Sequence, residues 1–284
     1  MTSGFDEISL ALFTALAPAG VIAFIALALV RLFERDHEAA VRIDRLIALP
    51  FSVALAGFIA SATHLGTPAN ALHVFSGVGR SPLSNEVLSA VAFLFLVGSY
   101  WMMAFKQRFP DAVAKPWLAL ACVSGAALVA CTSLAYAVDT VPTWDTWYTP
   151  ANLWFSALLA GPVLGLLFLH MARIEQRKYG IALVAVSVMA LVAGTFALGL
   201  HQQSLEGVAN NELVASALAP NYGTAITFHA LAGALGCICA ALSLRRRASR
   251  QSALALSGGA ALLLLVAVFA TRIEFYQLHL TVGF

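Results

Sequence analysis

Long apolar stretches alternate with short polar segments along the whole chain. Each stretch holds about 20 residues, enough at 1.5 Å per residue for a helix to cross a hydrocarbon core of roughly 30 Å. Lipid-exposed backbone must satisfy its own hydrogen bonds, which favours helices here over the shorter, alternating strands of a barrel. The pattern predicts eight transmembrane helices, near residues 8–30, 46–64, 86–105, 116–138, 151–172, 180–200, 222–243 and 253–273.

The composition indicates that the bilayer is the solvent of this protein. Of its 284 residues, 61% are hydrophobic and only 11% are charged, whereas about a quarter of residues are charged in soluble domains. The net charge of +2 does not indicate a nucleic-acid partner. We therefore expect an all-α, multi-pass membrane protein with a single transmembrane domain over residues 1–284.

The basic residues predict how the helices are oriented. Only Arg80 and Arg272 lie outside the connections that follow the first, third, fifth and seventh predicted helices. Because positively charged loops stay in the cytoplasm, both termini should lie on the outer, periplasmic side of the cytoplasmic (inner) membrane. The fourteen other basic residues are Arg31, Arg35, Arg42, Arg45, Lys106, Arg108, Lys115, Arg173, Arg177, Lys178, Arg245, Arg246, Arg247 and Arg250.

Few ionisable side chains are predicted inside the membrane. Ion-coupled carriers and proton pumps usually place charged residues at mid-membrane, and this sequence has none there, although a carrier for a neutral solute remains an alternative. The cysteines form no closely spaced set of the kind that iron–sulfur clusters need, so any cluster should belong to a partner. They are Cys122, Cys131, Cys237 and Cys239.

A haem-bearing bundle is a further alternative. A b-type haem usually needs two histidines from facing helices at matched depth. His64 and His201 lie at predicted helix ends, and His229 has no partner at its depth. We therefore expect no haem and no metal on this protein.

Two ionisable residues stand at one membrane boundary. His64 ends the second predicted helix, where Gly66 and Pro68 form a stop signal. Ser84 is a plausible N-cap for the third helix, with Glu86 in the first turn. Helix dipoles alone favour either residue at its helix end. As a pair beside an apolar bundle they suit quinol oxidation, in which bases accept two protons as two electrons leave.

The last predicted helix carries a second polar group to the same boundary. Arg272, Tyr276 and His279 are spaced i, i+4, i+7 and share one helical stripe. They could line a quinol pocket or dock a partner, or they could simply anchor the helix at the interface. A nearby aromatic cluster comprises Trp144, Trp147, Tyr148 and Trp154. Most of its members are interpreted as residues of the outer interfacial belt rather than as part of a functional loop.

Several of these segments together resemble the membrane-anchor subunit of dimethyl sulfoxide reductases, the DmsC type. The resemblance runs from the first helix to the C-terminus, and the order of the segments is specific although each alone is weak. A polysulfide-reductase or NrfD type anchor, which also binds quinol at its outer face, is the nearest alternative. The matching segments are residues 64–68 (HLGTP), 78–86 (VGRSPLSNE), 139–144 (DTVPTW), 161–162 (GP) and 275–283 (FYQLHLTVG).

The resemblance implies a haem-free anchor of eight helices that oxidises menaquinol to menaquinone at its outer face. Electrons would pass to a four-cluster iron–sulfur subunit and then to a molybdopterin catalytic subunit, both on the outer side. It also implies that His64 and Glu86 take part in quinol oxidation. Iron–sulfur clusters and molybdopterin are not expected on this protein. Candidates for lining the quinol pocket are Gly66, Pro68, Ser84, Asn85, Trp144, Arg272, Tyr276 and His279.

Overall fold

The computed structural model describes residues 7–63, 68–105, 110–174, 176–245 and 249–279. These residues are helical apart from turns and one isolated β-bridge, and they contain eight helical segments long and apolar enough to cross a membrane. The prediction of an all-helical protein with eight spans is confirmed. The helices are α1 Ile8–Phe33, α2 His37–Leu46, α3 Ala48–Ala62, α4 Pro82–Phe105, α5 Asp111–Ala135, α6 Tyr148–Met171, α7 Arg177–Ser204, α8 Tyr222–Ser243 and α9 Arg250–Gln277.

The second span differs from the sequence prediction. The connection after α1 was expected to be a basic loop, but residues 37–46 form the amphipathic helix α2, which joins α3 in one span. The Asp36 side chain caps α2 by accepting hydrogen bonds from the backbone N–H groups of Glu38 and Ala39. Arg42 and Arg45 therefore lie on a helix rather than in a loop.

Helices α1 and α6 form the centre of the bundle. In their most apolar windows, 83% of the residues of α1 and 72% of those of α6 are buried inside the protein. Two glycines let α6 approach α1 closely, as small residues do between membrane helices. A Cβ atom on Gly161 would lie 2.5 Å from Cβ of Ile22, and one on Gly165 would lie 2.8 Å from Cβ of Ala26.

A bulky residue at Gly161 should therefore destabilise the protein. We expect Gly161→Leu to lower the free energy of unfolding by about 1–3 kcal/mol or more, because an overpacked core forces its neighbours apart. The measurement is the midpoint temperature of thermal unfolding of the membrane complex in detergent. Gly259→Leu is the control, since a Cβ atom there would meet nothing within 4 Å. Equal midpoints for the two variants would show that the α1–α6 contact is not tight.

Polar contacts join the helices at one end of the bundle. Arg31 in the last turn of α1 contacts Asp44 of α2 at 3.0 Å and Asp111 of α5 at 2.8 Å. The Tyr100 hydroxyl of α4 donates a hydrogen bond of 2.8 Å to Asp44. We call this end the basic end, and it also contains the last turns of α6 and α8 and the first turns of α7 and α9. The opposite end contains Glu86 and is called the Glu86 end.

Candidate functional site

Glu86 lies in the interior of the protein. It begins the second turn of α4 and is 5% exposed. Its Oε1 atom has no hydrogen-bond partner among the described residues, and its carboxylate lies within hydrogen-bonding reach of the Thr132 hydroxyl on α5. A buried polar atom without a partner costs free energy, so Oε1 marks a position where a ligand or water can bind.

Ser84 is not the N-cap of α4, in contrast to the sequence prediction. The helix begins at Pro82, whose fixed φ suits the first helical position. The hydroxyl oxygen of Ser81 accepts a hydrogen bond of 3.5 Å from the backbone N–H of Ser84. Because α4 begins four residues earlier than predicted, Glu86 lies one turn deeper than expected.

Asn85 stabilises the turn that precedes α4. Its Oδ1 atom accepts a hydrogen bond of 2.7 Å from the backbone N–H of Gly79, which adopts the left-handed φ of 81° that favours glycine. Ser84 is buried beside Gly77, where an added Cβ would lie 2.5 Å from its Oγ atom. The contacts of both side chains thus position the 3₁₀ helix Pro68–Gly77 against α4.

Arg272 is also buried at the Glu86 end. It is 3% exposed, and its Nε and Nη2 atoms have no hydrogen-bond partner in the part of the protein that the structure describes. Its guanidinium carbon lies 5.5 Å from the centre of the Phe275 ring. Helix α9 extends to Gln277, four residues beyond the prediction, so Arg272 does not reach the interface as an anchoring arginine would.

Two tyrosines lie near both Glu86 and Arg272. Tyr136 follows the end of α5, Tyr276 is in the last turn of α9, and their ring centres are 5.7 Å apart. Both hydroxyls are within electrostatic reach of Glu86 and of Arg272. Burial, with a smaller contribution from Tyr276, raises the pKa of Tyr136 well above its usual value. Tyr136 therefore remains protonated and can donate a hydrogen bond.

Helix α1 holds Tyr276 in place. The Tyr276 hydroxyl lies 3.3 Å from the backbone oxygen of Leu10 and 3.4 Å from the hydroxyl oxygen of Thr14. Thr14 is buried and donates its own hydrogen bond of 2.9 Å to Leu10. The site is therefore built from four helices, α1, α4, α5 and α9.

Trp144 closes the site from the loop before α6. Its indole N–H donates a hydrogen bond of 3.0 Å to the backbone oxygen of Phe275, and the two rings stack with centres 4.9 Å apart. Its ring also contacts Tyr276 and His279, at 5.9 Å and 5.1 Å between centres. Trp144 is thus a packing residue rather than part of an interfacial belt, whereas Trp147 is 60% exposed.

His201 and His229 are buried in hydrogen-bonded positions. The Nε2 atom of His201 lies 3.2 Å from the Thr143 carbonyl, so it must donate, and Nδ1 accepts from the Tyr222 hydroxyl at 3.0 Å. His229 Nδ1 donates to the Ala267 carbonyl at 3.3 Å. Both ring nitrogens of His201 are therefore engaged by protein groups, and its ligation to iron would require one of these bonds to break.

Some predicted site residues lie outside the described residues. These are His64 and Gly66, together with the side chain of Pro68, whose backbone begins the 3₁₀ helix. The four cysteines are free thiols. Within the described ranges no group of three or more His, Cys, Asp or Glu residues could hold a metal ion.

The structure adds four residues that the sequence analysis did not select. Thr14, Thr132, Tyr136 and Tyr222 each place a hydroxyl at the Glu86 end. One signal was available, because Thr132 and Tyr136 are four residues apart and so share a helix face with polar groups in an apolar segment. Nothing in the sequence links them to Glu86 or Arg272.

These observations define an integral membrane protein whose described residues form eight helical spans, with a group of polar atoms that are buried at one end of the bundle and have no partner among those residues. The family model of the DMSO reductase anchor subunit (DmsC) matches residues 1–278. The protein belongs to this family and is an anchor subunit of DMSO reductase-type complexes.

Curated relatives agree with the family. The sequence is 33% identical over 288 residues to the C subunit of anaerobic dimethyl sulfoxide reductase from Escherichia coli (strain K12). It is 32% identical over 285 residues to the YnfH subunit of anaerobic dimethyl sulfoxide reductase from the same organism. The corresponding C subunit from Haemophilus influenzae (strain ATCC 51907 / DSM 11121 / KW20 / Rd) is 28% identical over 289 residues. Each alignment covers 100% of this protein and 98% of the relative.

Proposed function

We propose that this protein oxidises menaquinol at the Glu86 end and transfers the electrons to a docked partner subunit. One observation carries the proposal. Unpartnered acceptor and donor atoms, Oε1 of Glu86 and Nε and Nη2 of Arg272, are buried within electrostatic reach of one tyrosine pair. A pocket for a polar aromatic head group needs hydrogen-bond donors and acceptors beside aromatic rings.

The available groups fit a quinol head group. Each quinol hydroxyl can donate one hydrogen bond and accept others, and the ring between them is flat and apolar. The Glu86 carboxylate can accept from a hydroxyl, and the Arg272 guanidinium can donate to an oxygen. Tyr136 and Tyr276 supply aromatic walls, and their hydroxyls are hydrogen-bonded to each other. Glu86 is 5% exposed, so a head group must displace the side chains that cover it.

Each residue has a distinct role in the proposed reaction. A bound quinol supplies two electrons and two protons when it is oxidised. Glu86 accepts a proton at Oε1 and passes it to water at the Glu86 end. Arg272 stabilises negative charge at an oxygen on its side of the pocket, where the low dielectric strengthens the interaction. His64 is the second proton acceptor, as the resemblance to the family implies.

The orientation follows from the charge distribution, and the partners are those that the resemblance to the family implies. The basic end faces the cytoplasm, both termini lie outside, and the protein resides in the inner membrane as one transmembrane domain. A four-cluster iron–sulfur subunit docks over the Glu86 end and passes electrons to a molybdopterin subunit. Protons are released on the side where the quinol is oxidised, so turnover does not pump protons. The anchor itself carries no haem, iron–sulfur cluster or molybdopterin.

A His64 variant tests this proposal. We expect His64→Ala to lower quinol-driven reduction by the intact complex by about 10-fold to 100-fold, since a proton acceptor is lost. Reduction driven by an artificial dye, which bypasses the anchor, should be unchanged. The control is His73→Ala, because His73 is exposed on the same end of the bundle. Wild-type quinol activity in His64→Ala would refute the role of His64.

A further inference from the structure

A second polar site lies at the basic end, far from Glu86. The last turns of α6 and α8 and the first turns of α7 and α9 surround a cavity of about 740 Å³. Each of these four helix ends contributes one arginine to the lining, namely Arg173, Arg177, Arg245 and Arg250. The cavity shares no residue with the proposed quinol site.

The four arginines have no acidic partner among the residues described. The basic residues that form ion pairs among the described residues are Arg31, Arg42 and Lys115, and none of them lines the cavity. Guanidinium groups that line one cavity favour the binding of an anion there. Arginine is suited to this task because its planar fork can donate two parallel hydrogen bonds to a phosphate.

The backbone adds to the positive potential. Helices α7 and α9 are each 28 residues long, and both begin at the cavity, where their dipoles favour negative charge. Gln176 precedes α7 and makes no side-chain cap, so N–H groups of the first turn of α7 remain for a ligand. Arg173 follows the end of α6 and adopts a left-handed φ of 58°, as is common for the residue that caps a helix, with the backbone N–H of Ile174 donating to the Leu169 carbonyl.

The wall of the cavity is largely apolar, with His170 and Ser243 as polar members, in contrast to its charged rim. Leu166, Leu169 and Ile174 line it and are buried, whereas the four arginines are exposed. A charged rim above an apolar wall, located between membrane helices, matches the shape of a phospholipid. The headgroup phosphate would lie among the arginines and the acyl chains would follow the helices into the bilayer.

We propose that this cavity binds the phosphate group of an anionic phospholipid, of the phosphatidylglycerol or cardiolipin type. The lipid fills the space between the ends of four helices and neutralises their arginines. It thereby stabilises α6–α9 against one another at the basic end. The proposal is independent of quinol oxidation.

Lipid retention by the intact complex tests the proposal. We expect native mass spectrometry of the wild-type complex in neutral detergent to show a retained anionic phospholipid. The double variant Arg177→Gln/Arg250→Gln should bind added cardiolipin about 30-fold more weakly, since two phosphate contacts are lost. The control is Arg45→Gln/Arg80→Gln, which removes the same charge at exposed positions that do not line the cavity. It should retain lipid like the wild type.

Two further measurements identify the ligand and guard against misfolding. Cardiolipin or phosphatidylglycerol should raise the unfolding temperature of the delipidated complex by several degrees, whereas phosphatidylcholine and inorganic phosphate should not. Arg177→Lys/Arg250→Lys keeps the charge and should regain most of the lipid affinity, with dye-driven reduction confirming an intact complex. Equal protection by inorganic phosphate would overturn the lipid assignment. Unchanged lipid retention in the glutamine double variant would overturn the site.

Discussion

Glu86→Gln should lower quinol-driven reduction by the intact complex on the order of 100-fold or more, the range expected when a positioned general base is lost. The amide has nearly the shape of the carboxylate, so the packing around this buried side chain is kept. It cannot accept a proton from a quinol at the position of Oε1, however. The measurement is the rate with a soluble menaquinol analogue, compared with the rate from an artificial dye, which should remain at the wild-type level.

A matched variant separates the site from a general effect of charge. Glu206→Gln makes the same chemical change at an exposed residue of the same end and should leave both rates unchanged. Parallel losses of quinol-driven and dye-driven activity in Glu86→Gln would show that the complex had failed to assemble. A quinol-driven rate near that of the wild type would remove Glu86 from the proposed reaction.

The apolar pattern was sufficient to predict the spans because each must cover the same hydrophobic thickness. Segment length and composition carry that information locally. The amphipathic helix α2 was missed because it lies in the polar segment before the second apolar run and depends on a capping side chain, Asp36. The last helix was predicted four residues too short, since Glu274 and Gln277 interrupt the apolar run although they continue the helix.

Part of the candidate site could be read from the sequence and part could not. Glu86, Arg272 and Tyr276 stand out as polar residues at the ends of apolar segments. Thr14 and Tyr136 reach the same site from α1 and from the end of α5, and their proximity depends on how helices distant in sequence pack. A hydroxyl near a helix end is common, so only the tertiary contacts distinguish these from ordinary interfacial residues.

Buried arginines at the two ends of the bundle differ in their ion-pair partners. At the basic end, Arg31 is 3% exposed and lies 3.0 Å and 2.8 Å from two carboxylates. At the Glu86 end, Arg272 is equally buried but has no carboxylate within salt-bridge distance among the described residues. A buried charge that is paired is consistent with a structural role, whereas an unpaired one is retained at a free-energy cost. The proposed role of Arg272 in ligand binding rests on this contrast.

Arg272→Met should therefore separate activity from stability. We expect quinol-driven reduction to fall by about 10-fold to 100-fold, because a donor that stabilises charge in the reaction is lost. The unfolding temperature of the complex should stay the same or rise, since a buried charge without an ionic partner costs free energy that a buried apolar side chain does not. Dye-driven reduction and thermal unfolding are measured on the same preparation.

Arg80→Met is the control for this variant, because Arg80 is an exposed arginine at the same end of the bundle. It should change neither the quinol-driven rate nor the unfolding temperature. Arg272→Lys adds a further distinction, since lysine keeps the charge but loses the planar fork and should restore only part of the rate. If Arg272→Met instead unfolds the complex and lowers both activities together, Arg272 is a structural residue and the proposed pocket loses its donor.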